Sequence, residues 1–320
     1  MLFNKNIFKK KILFIGMPDT AYVTLHALNQ AGVNIVSVVA PASNHPASAP
    51  FVQYAKNMGY SVIIPKRNIN EMEIVETIKS LNVDLAVVTS YSQKIKIDLL
   101  LSTKDGFINV HPSLLPEYRG PNPYSHVIIN KELQTGVTIH KMDEQFDTGE
   151  ILMQDVINIL DNDTLGTLFN KLNRLSSQML VQFLTVYENS GLPRGFSQRK
   201  LKKPEHYASK IIPESQLVTI DWAKSAEFIE RFIRALNPFL AASTNYKGYS
   251  VKIFSAAIEK RNTKYNKKDY GMICNVEDTI DVITGNGVLK IRTLQMGSFF
   301  IGDAKDFSSR IKIQVGDRFD

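Results

Sequence analysis

Cysteine is nearly missing from this chain of 320 residues: Cys274 is the one thiol. A single cysteine excludes an internal disulfide and any cysteine-cluster metal site, and a reducing, cytoplasmic setting is the expectation. Long apolar runs are missing as well. The basic start, Met1 to Lys11, leads into an apolar run, Ile12 to Ile15, that is too short for the core of a signal peptide. Nothing approaches the apolar length of a membrane span, so no membrane partner is expected. Gly16 closes an apolar stretch, but no second and third glycine follow it, which excludes a nicotinamide dinucleotide site. No cluster of metal ligands stands out, and no metal is expected. Internal repeats and low-complexity tracts are absent.

What remains is ordinary globular composition, 44% apolar and 22% charged, in a chain long enough for two domains. The net charge of +7 is unevenly placed. Residues 1–189 carry 16 Lys and Arg against 17 Asp and Glu, while residues 190–320 carry 22 against 14. Such asymmetry fits one domain that handles small molecules and another that meets a polyanion; a merely solvated basic surface is the plainer reading.

Along the chain, Lys11–Ile15, Asn34–Val39, Ser61–Ile64, Asp84–Thr89 and Gly106–Val110 read as buried strands. The segments between them, through Leu25 and Leu28, Phe51–Met58 and Glu71–Leu81, have helical character. This alternation predicts an α/β fold with a doubly wound, mostly parallel sheet, whose ligands bind beyond the carboxyl ends of the strands. Ala40–Pro50, with three prolines and no Lys or Arg, reads as an irregular loop. Pro123–Asn130 reads as helix, Gly136–Met142 and Ile151–Ile159 as strands, and Asp163 as the cap of a long helix with an apolar stripe from Leu165 to Met179. The expected domains are residues 1–190, a basic linker 191–212, and 213–320. The last opens with a helix, Ala223–Leu236, and continues as short strands that suggest a small β-barrel.

The chemistry is concentrated in Asn109-Val-His-Pro-Ser-Leu-Leu-Pro-Glu-Tyr-Arg-Gly120 and in Asp147-Thr-Gly149. Asn109 and His111 share one face of a strand, because strand side chains alternate. Pro112 and Pro116 stiffen the loop that follows, and Gly120 lets it turn. A lone histidine beside a Pro-rich loop would be structural. With Asp147 added, the set supplies an oxyanion donor (Asn109), a proton carrier (His111) and a carboxylate that orients His111 and raises its pKa. His126 and His140 read as packing or surface residues.

Asn109, His111, Ser113-Leu-Leu-Pro116, Arg119-Gly120 and Asp147-Thr-Gly149 resemble the signature of the formyltetrahydrofolate-dependent formyltransferases. The pattern is long, and the resemblance covers most of the chain, from Lys11 to the Gly285-Asn-Gly287 region. It implies a Rossmann-like formyltransferase domain, an oligonucleotide-fold-like C-terminal barrel, and 10-formyltetrahydrofolate as formyl donor. By resemblance, Tyr91, Ser113, Leu114, Leu115, Pro116, Arg119 and Gly120 serve the folate side. The family's methionyl-tRNA members suggest initiator methionyl-tRNA as partner, with Arg199, Lys200, Lys202, Lys203, Lys264, Lys267 and Lys268 as phosphate contacts; a solvated hairpin tip is the other reading of the last three. In those members the loop after the second strand is long and basic. Here Pro41–Pro50 has no cation, so a nucleotide-linked amino sugar stands as the alternative acceptor.

Overall fold

A computed structural model describes residues 7–41, 48–201, 206–213, 215–259, 265–297 and 300–320. It divides into two compact units: Met1–Pro123, Gln134–Asn158 and Asn170–Ser209 in the first, and Tyr124–Leu133, Ile159–Phe169 and Lys210–Asp320 in the second. Of the linker expected over 191–212, the described residues up to Ser209 are grouped with the first unit.

The strands of the first unit are β1 (Ile12–Gly16), β2 (Ile35–Val39), β3 (Val62–Ile63), β4 (Leu85–Thr89), β5 (Phe107–His111), β6 (Gln134–Lys141) and β7 (Ile151–Asn158). The helices up to residue 190 are α1 (Pro18–Gln30), α2 (Ser48–Asn57), α3 (Met72–Ser80), α4 (Ile97–Leu100), α5 (Pro123–Ile129) and α6 (Leu165–Ser190). The sheet order is β3-β2-β1-β4-β5-β6-β7. The first five strands pair in parallel, and β6 and β7 are antiparallel additions. The mostly parallel, doubly wound expectation holds. β1 and β4 are buried at every position, because helices cover both faces of a parallel sheet. Edge strand β7 alternates less cleanly and is half exposed. The stripe of α6 is buried at Leu165, Leu168, Leu172 and Met179, while Leu175 is partly exposed. Its cap differs from expectation. The Thr164 hydroxyl accepts from Thr167 N at 3.2 Å, while Asp163 takes Leu160 N and the Thr167 hydroxyl.

The second unit holds α7 (Ala226–Leu236), capped by the Ser225 hydroxyl, then β8 (Ala242–Tyr246), β9 (Tyr249–Glu259), β10 (Ile273–Val276), β11 (Ile280–Ile283), β12 (Val288–Met296), β13 (Phe300–Asp303) and α8 (Ala304–Ile311). The antiparallel order is β10-β11-β12-β9-β8, with β13 beside β12. The two edges meet through the chain end. Asn245 in β8 exchanges both backbone hydrogen bonds with Asp320, and Gly271 and Ile273 at β10 bond Phe319 and Asp317. The final residues thereby act as a closing strand, which removes two open edges from the barrel. Phe319 stacks on Trp222 at 5.9 Å and lies against Tyr246, inside a core that includes Ile229, Ile233, Val251, Ile280 and Leu289. Among the described residues no helix is long and apolar enough to cross a membrane.

Candidate active site

β5 carries Asn109 and His111 to the carboxyl end of the parallel sheet, the edge where such folds bind ligands. Asp147 arrives from the turn between β6 and β7. The three converge: the Asn109 Nδ2 donates to Asp147 Oδ1 at 3.3 Å, and His111 Nδ1 lies 3.6 Å from the same oxygen. The opposite ring nitrogen, His111 Nε2, donates to the Tyr118 carbonyl at 3.0 Å. A carbonyl can only accept, so the neutral imidazole carries its proton on Nε2 and turns the Nδ1 lone pair towards Asp147.

Burial of His111 lowers its pKa below the ordinary value, although the neighbouring Asp147 charge pulls it upward. This corrects the expectation that Asp147 sets a raised value: burial outweighs the carboxylate. Burial also works against ionised Asp147. The neighbouring His111 and His140 rings, and a 3.0 Å hydrogen bond from Gly120 N to Oδ2, more than offset it, so the carboxyl is held far below the usual range.

His140, which the strand pattern marks only as packing or surface, belongs to this group. It is 1% exposed, on β6 opposite Asn109. Its Nδ1 faces the Lys141 carbonyl at 3.0 Å, which leaves Nε2 to accept from Asn109 Nδ2 at 3.2 Å. Both Asn109 N–H groups are therefore occupied, by His140 and Asp147. Binding of an oxyanion by Asn109 requires exchange of one of these bonds.

The loop after β5 is held from within. The Ser113 hydroxyl donates to the Glu117 carbonyl at 2.6 Å, and Ser113 is fully buried. The Thr138 hydroxyl donates to the Ser113 carbonyl and accepts from Leu115 N and Gln154 Nε2. Leu115 is 1% exposed and precedes Pro116 through a cis peptide bond. Leu114 lies against Gly136, where an added Cβ would come 2.5 Å from its side chain. Ser113 and Leu115 are thus supports of the loop. Gly120 has φ +114°, and a Cβ there would meet the Ala208 carbonyl at 2.6 Å, so no other residue fits. Gly149 admits none either, since its Cβ would lie 1.7 Å from the Lys141 carbonyl.

Arg119 does not project alone. Its Nε and Nη2 donate to Gln198 Oε1 at 3.2 and 2.7 Å, and its carbonyl accepts from Ala208 N at 2.7 Å. No sequence signal points to Gln198, for it lies 51 residues beyond Asp147 in a stretch without regular patterning. Tyr91 follows the end of β4, packed against the cluster that includes Ile95, Leu99 and Phe107. Among the described residues its buried hydroxyl has no hydrogen-bond partner, nor has that of Thr89, and burial pushes the Tyr91 pKa up to about 12. A cleft of about 550 Å³ opens nearby along Lys141–Glu144, the segment that leads into Asp147. It is lined also by Ile97, Leu100 and Phe107, but not by Asn109, His111 or Asp147.

Of the expected phosphate contacts, Arg199 and Lys200 are exposed on a 3-10 turn of the first unit, and Lys267 and Lys268 on another in the second. Lys202, Lys203 and Lys264 lie outside the described residues, as do residues 42–47 of the Pro41–Pro50 loop. The remainder of that loop, from Ser48, opens α2.

Comparison with known proteins adds a second line of observation. The family model described as formyl transferase matches residues 10–184, and that of the formyl transferase C-terminal domain matches residues 213–311. A methionyl-tRNA formyltransferase of Halothermothrix orenii is 33% identical over 318 residues, 96% of this chain and 99% of the relative. One of Clostridioides difficile is 33% identical over 294 residues, covering 89% and 92%. Among solved structures, an N-formyltransferase of Helicobacter canadensis in complex with folinic acid and dTDP-3-aminofucose superposes with a TM-score of 0.65 at 21% identity, covering 90% of this chain and all of that one.

Proposed function

This chain belongs to the formyl transferase family, and from that premise we propose that it moves the formyl group of 10-formyltetrahydrofolate to a primary amine, that of methionyl-tRNA. The observation that carries the chemistry is the meeting of Asn109, His111 and Asp147 around one carboxylate oxygen. Formyl transfer needs a proton removed from the attacking amine, a developing oxyanion stabilised, and a proton returned to the folate nitrogen that leaves. Neutral His111 has its Nδ1 lone pair available to take the amine proton. Asp147, ionised across neutral pH, stabilises the imidazolium so formed. As the bond from the formyl carbon to folate N10 breaks, the imidazolium hands that proton to N10, and His111 returns to its starting state. Asn109 exchanges its His140 or Asp147 bond for the oxyanion. The buried hydroxyl of Tyr91, unpartnered among the described residues, fits a folate-side role: it stays protonated and has a hydrogen bond to offer.

The acceptor assignment rests on relatives of that name at 33% identity over nearly the full length, together with the basic excess beyond residue 189. A nucleotide-linked amino sugar is the second reading, favoured by the lack of any Lys or Arg in Pro41–Pro50. Purified chain supplied with labelled formyl donor and charged initiator tRNA should label the methionyl amine. Label that remains on the folate, or appears only in water-released formate, would contradict transfer.

A further inference from the structure

We propose that Gln198 is a positioning residue: its side-chain amide locks the turn that carries Asp147 to the loop that carries Arg119 and Gly120, and so holds the carboxylate against His111. The inference rests on the reading above, in which His111 and Asp147 act together.

Gln198 is 3% exposed, and its amide is used at four points. Oε1 accepts from Arg119 Nε and Nη2 at 3.2 and 2.7 Å, while Nε2 donates to the carbonyls of Asp147 and Gly149 at 3.0 and 2.7 Å. Two donors opposite two acceptor sites is what a primary amide supplies; a carboxylate offers only acceptors and a thioether at most a weak one. The turn needs such a hold. Asp147 has φ +58°, a left-handed conformation that a non-glycine residue keeps only where its surroundings fix it.

Two loops must keep their separation for the His111–Asp147 pair to work. One presents the carboxylate; the other presents Gly120 N to that carboxylate and the Tyr118 carbonyl to His111 Nε2. Gln198 is bonded to both. It is itself fixed by the bridge of Phe196 to Ile151, with bonds of 2.9 and 2.8 Å, and by the 3-10 turn that begins at Gln198. At 3.6 Å the carboxylate acts on the imidazole by charge more than by hydrogen bonding, so its placement decides the effect. Gln198 lies between the two matched segments, 10–184 and 213–311, and neither covers it.

The test compares Gln198→Met, which keeps volume and removes all four bonds, with Gln198→Glu, which keeps acceptance from Arg119 and removes donation to the turn. Both should lower kcat about 10- to 100-fold, as misplacement of a catalytic group does, with the KM for the formyl donor within about threefold. In Gln198→Met, which adds no charge, the His111 ring, followed by NMR with labelled histidine, should titrate at lower pH than in the unsubstituted chain, because the carboxylate that raises its pKa has moved. A kcat within twofold of the parent, or an unmoved His111 titration in a Gln198→Met variant whose melting shows it folded, would overturn the proposal. So would full activity of Gln198→Glu beside an inactive Gln198→Met, which would place the role at Arg119. If the unsubstituted chain transfers no formyl group, the reaction reading fails, and the His111 titration still decides the clamp.

Discussion

At the scale of single residues, the candidate site combines opposed effects on two ionisable groups. Burial keeps His111 neutral, which gives it a lone pair to accept a proton, while Asp147 limits how far burial can go. His111 has a folded pKa below its ordinary 6.5, so the acid limb that the enzyme itself contributes to kcat/KM should lie below that pH, apart from the ionisation of the acceptor amine. Asp147→Asn removes the charge that raises His111. It should therefore lower the plateau and move the acid limb to still lower pH; a limb that moves upward would contradict the assignment. Asn109→Ala should lower kcat by about 10²–10³, the cost of losing one oxyanion donor, with circular dichroism unchanged. Asn109, His111 and Asp147 are legible in the amino-acid sequence because their spacing is long and their types are chemically specific. His140 is not. Nothing in a β-strand pattern separates a packing histidine from one that accepts from the candidate catalytic amide; only the register of Asn109 against His140 does.

Among elements, the parallel strands can be read because Ile12–Ile15 and Leu85–Val88 are unbroken apolar runs. β8, β13 and α8 carry no such signal. Ala242-Ser-Thr-Asn-Tyr246 is short and mostly polar, and it becomes a strand because Tyr249–Glu259 and the chain end pair with it. The closing role of Asp317–Asp320 is likewise invisible in four largely polar residues, since it depends on where both sheet edges fall. Closure makes a sharp prediction. Phe319→Ala leaves a void beneath Trp222 and Tyr246 and should cost about 3–5 kcal/mol, read as a lower urea midpoint for the transition of the second unit. An unchanged midpoint would mean that the end does not close the barrel. Gly149→Ala tests the first unit in the same way. Its Cβ would overlap the Lys141 carbonyl, so β6 and β7 must part, and both stability and turnover should fall. Retained turnover would show that the Asp147 turn tolerates displacement.

On the scale of the whole molecule, residues 190–320 hold the entire positive excess, 22 basic against 14 acidic, while the candidate catalytic groups stand within a nearly neutral 1–189. If the acceptor is a tRNA, its phosphates meet lysines and arginines of that second stretch, and binding releases counterions, so affinity falls steeply with salt. Neutralising Lys200, Lys202 and Lys203 together should weaken tRNA binding and flatten the salt slope while the formyl donor still binds. The most direct measurement of the central claim is a paired acceptor assay. One chain preparation, supplied with 10-formyltetrahydrofolate, is offered charged initiator tRNA or a nucleotide-linked amino sugar across a series of salt concentrations. The account predicts formyl transfer to the methionyl amine, weakening steeply as salt rises and further impaired in the triple-lysine variant. Salt-insensitive transfer to the amino sugar, with none to charged tRNA, would contradict it.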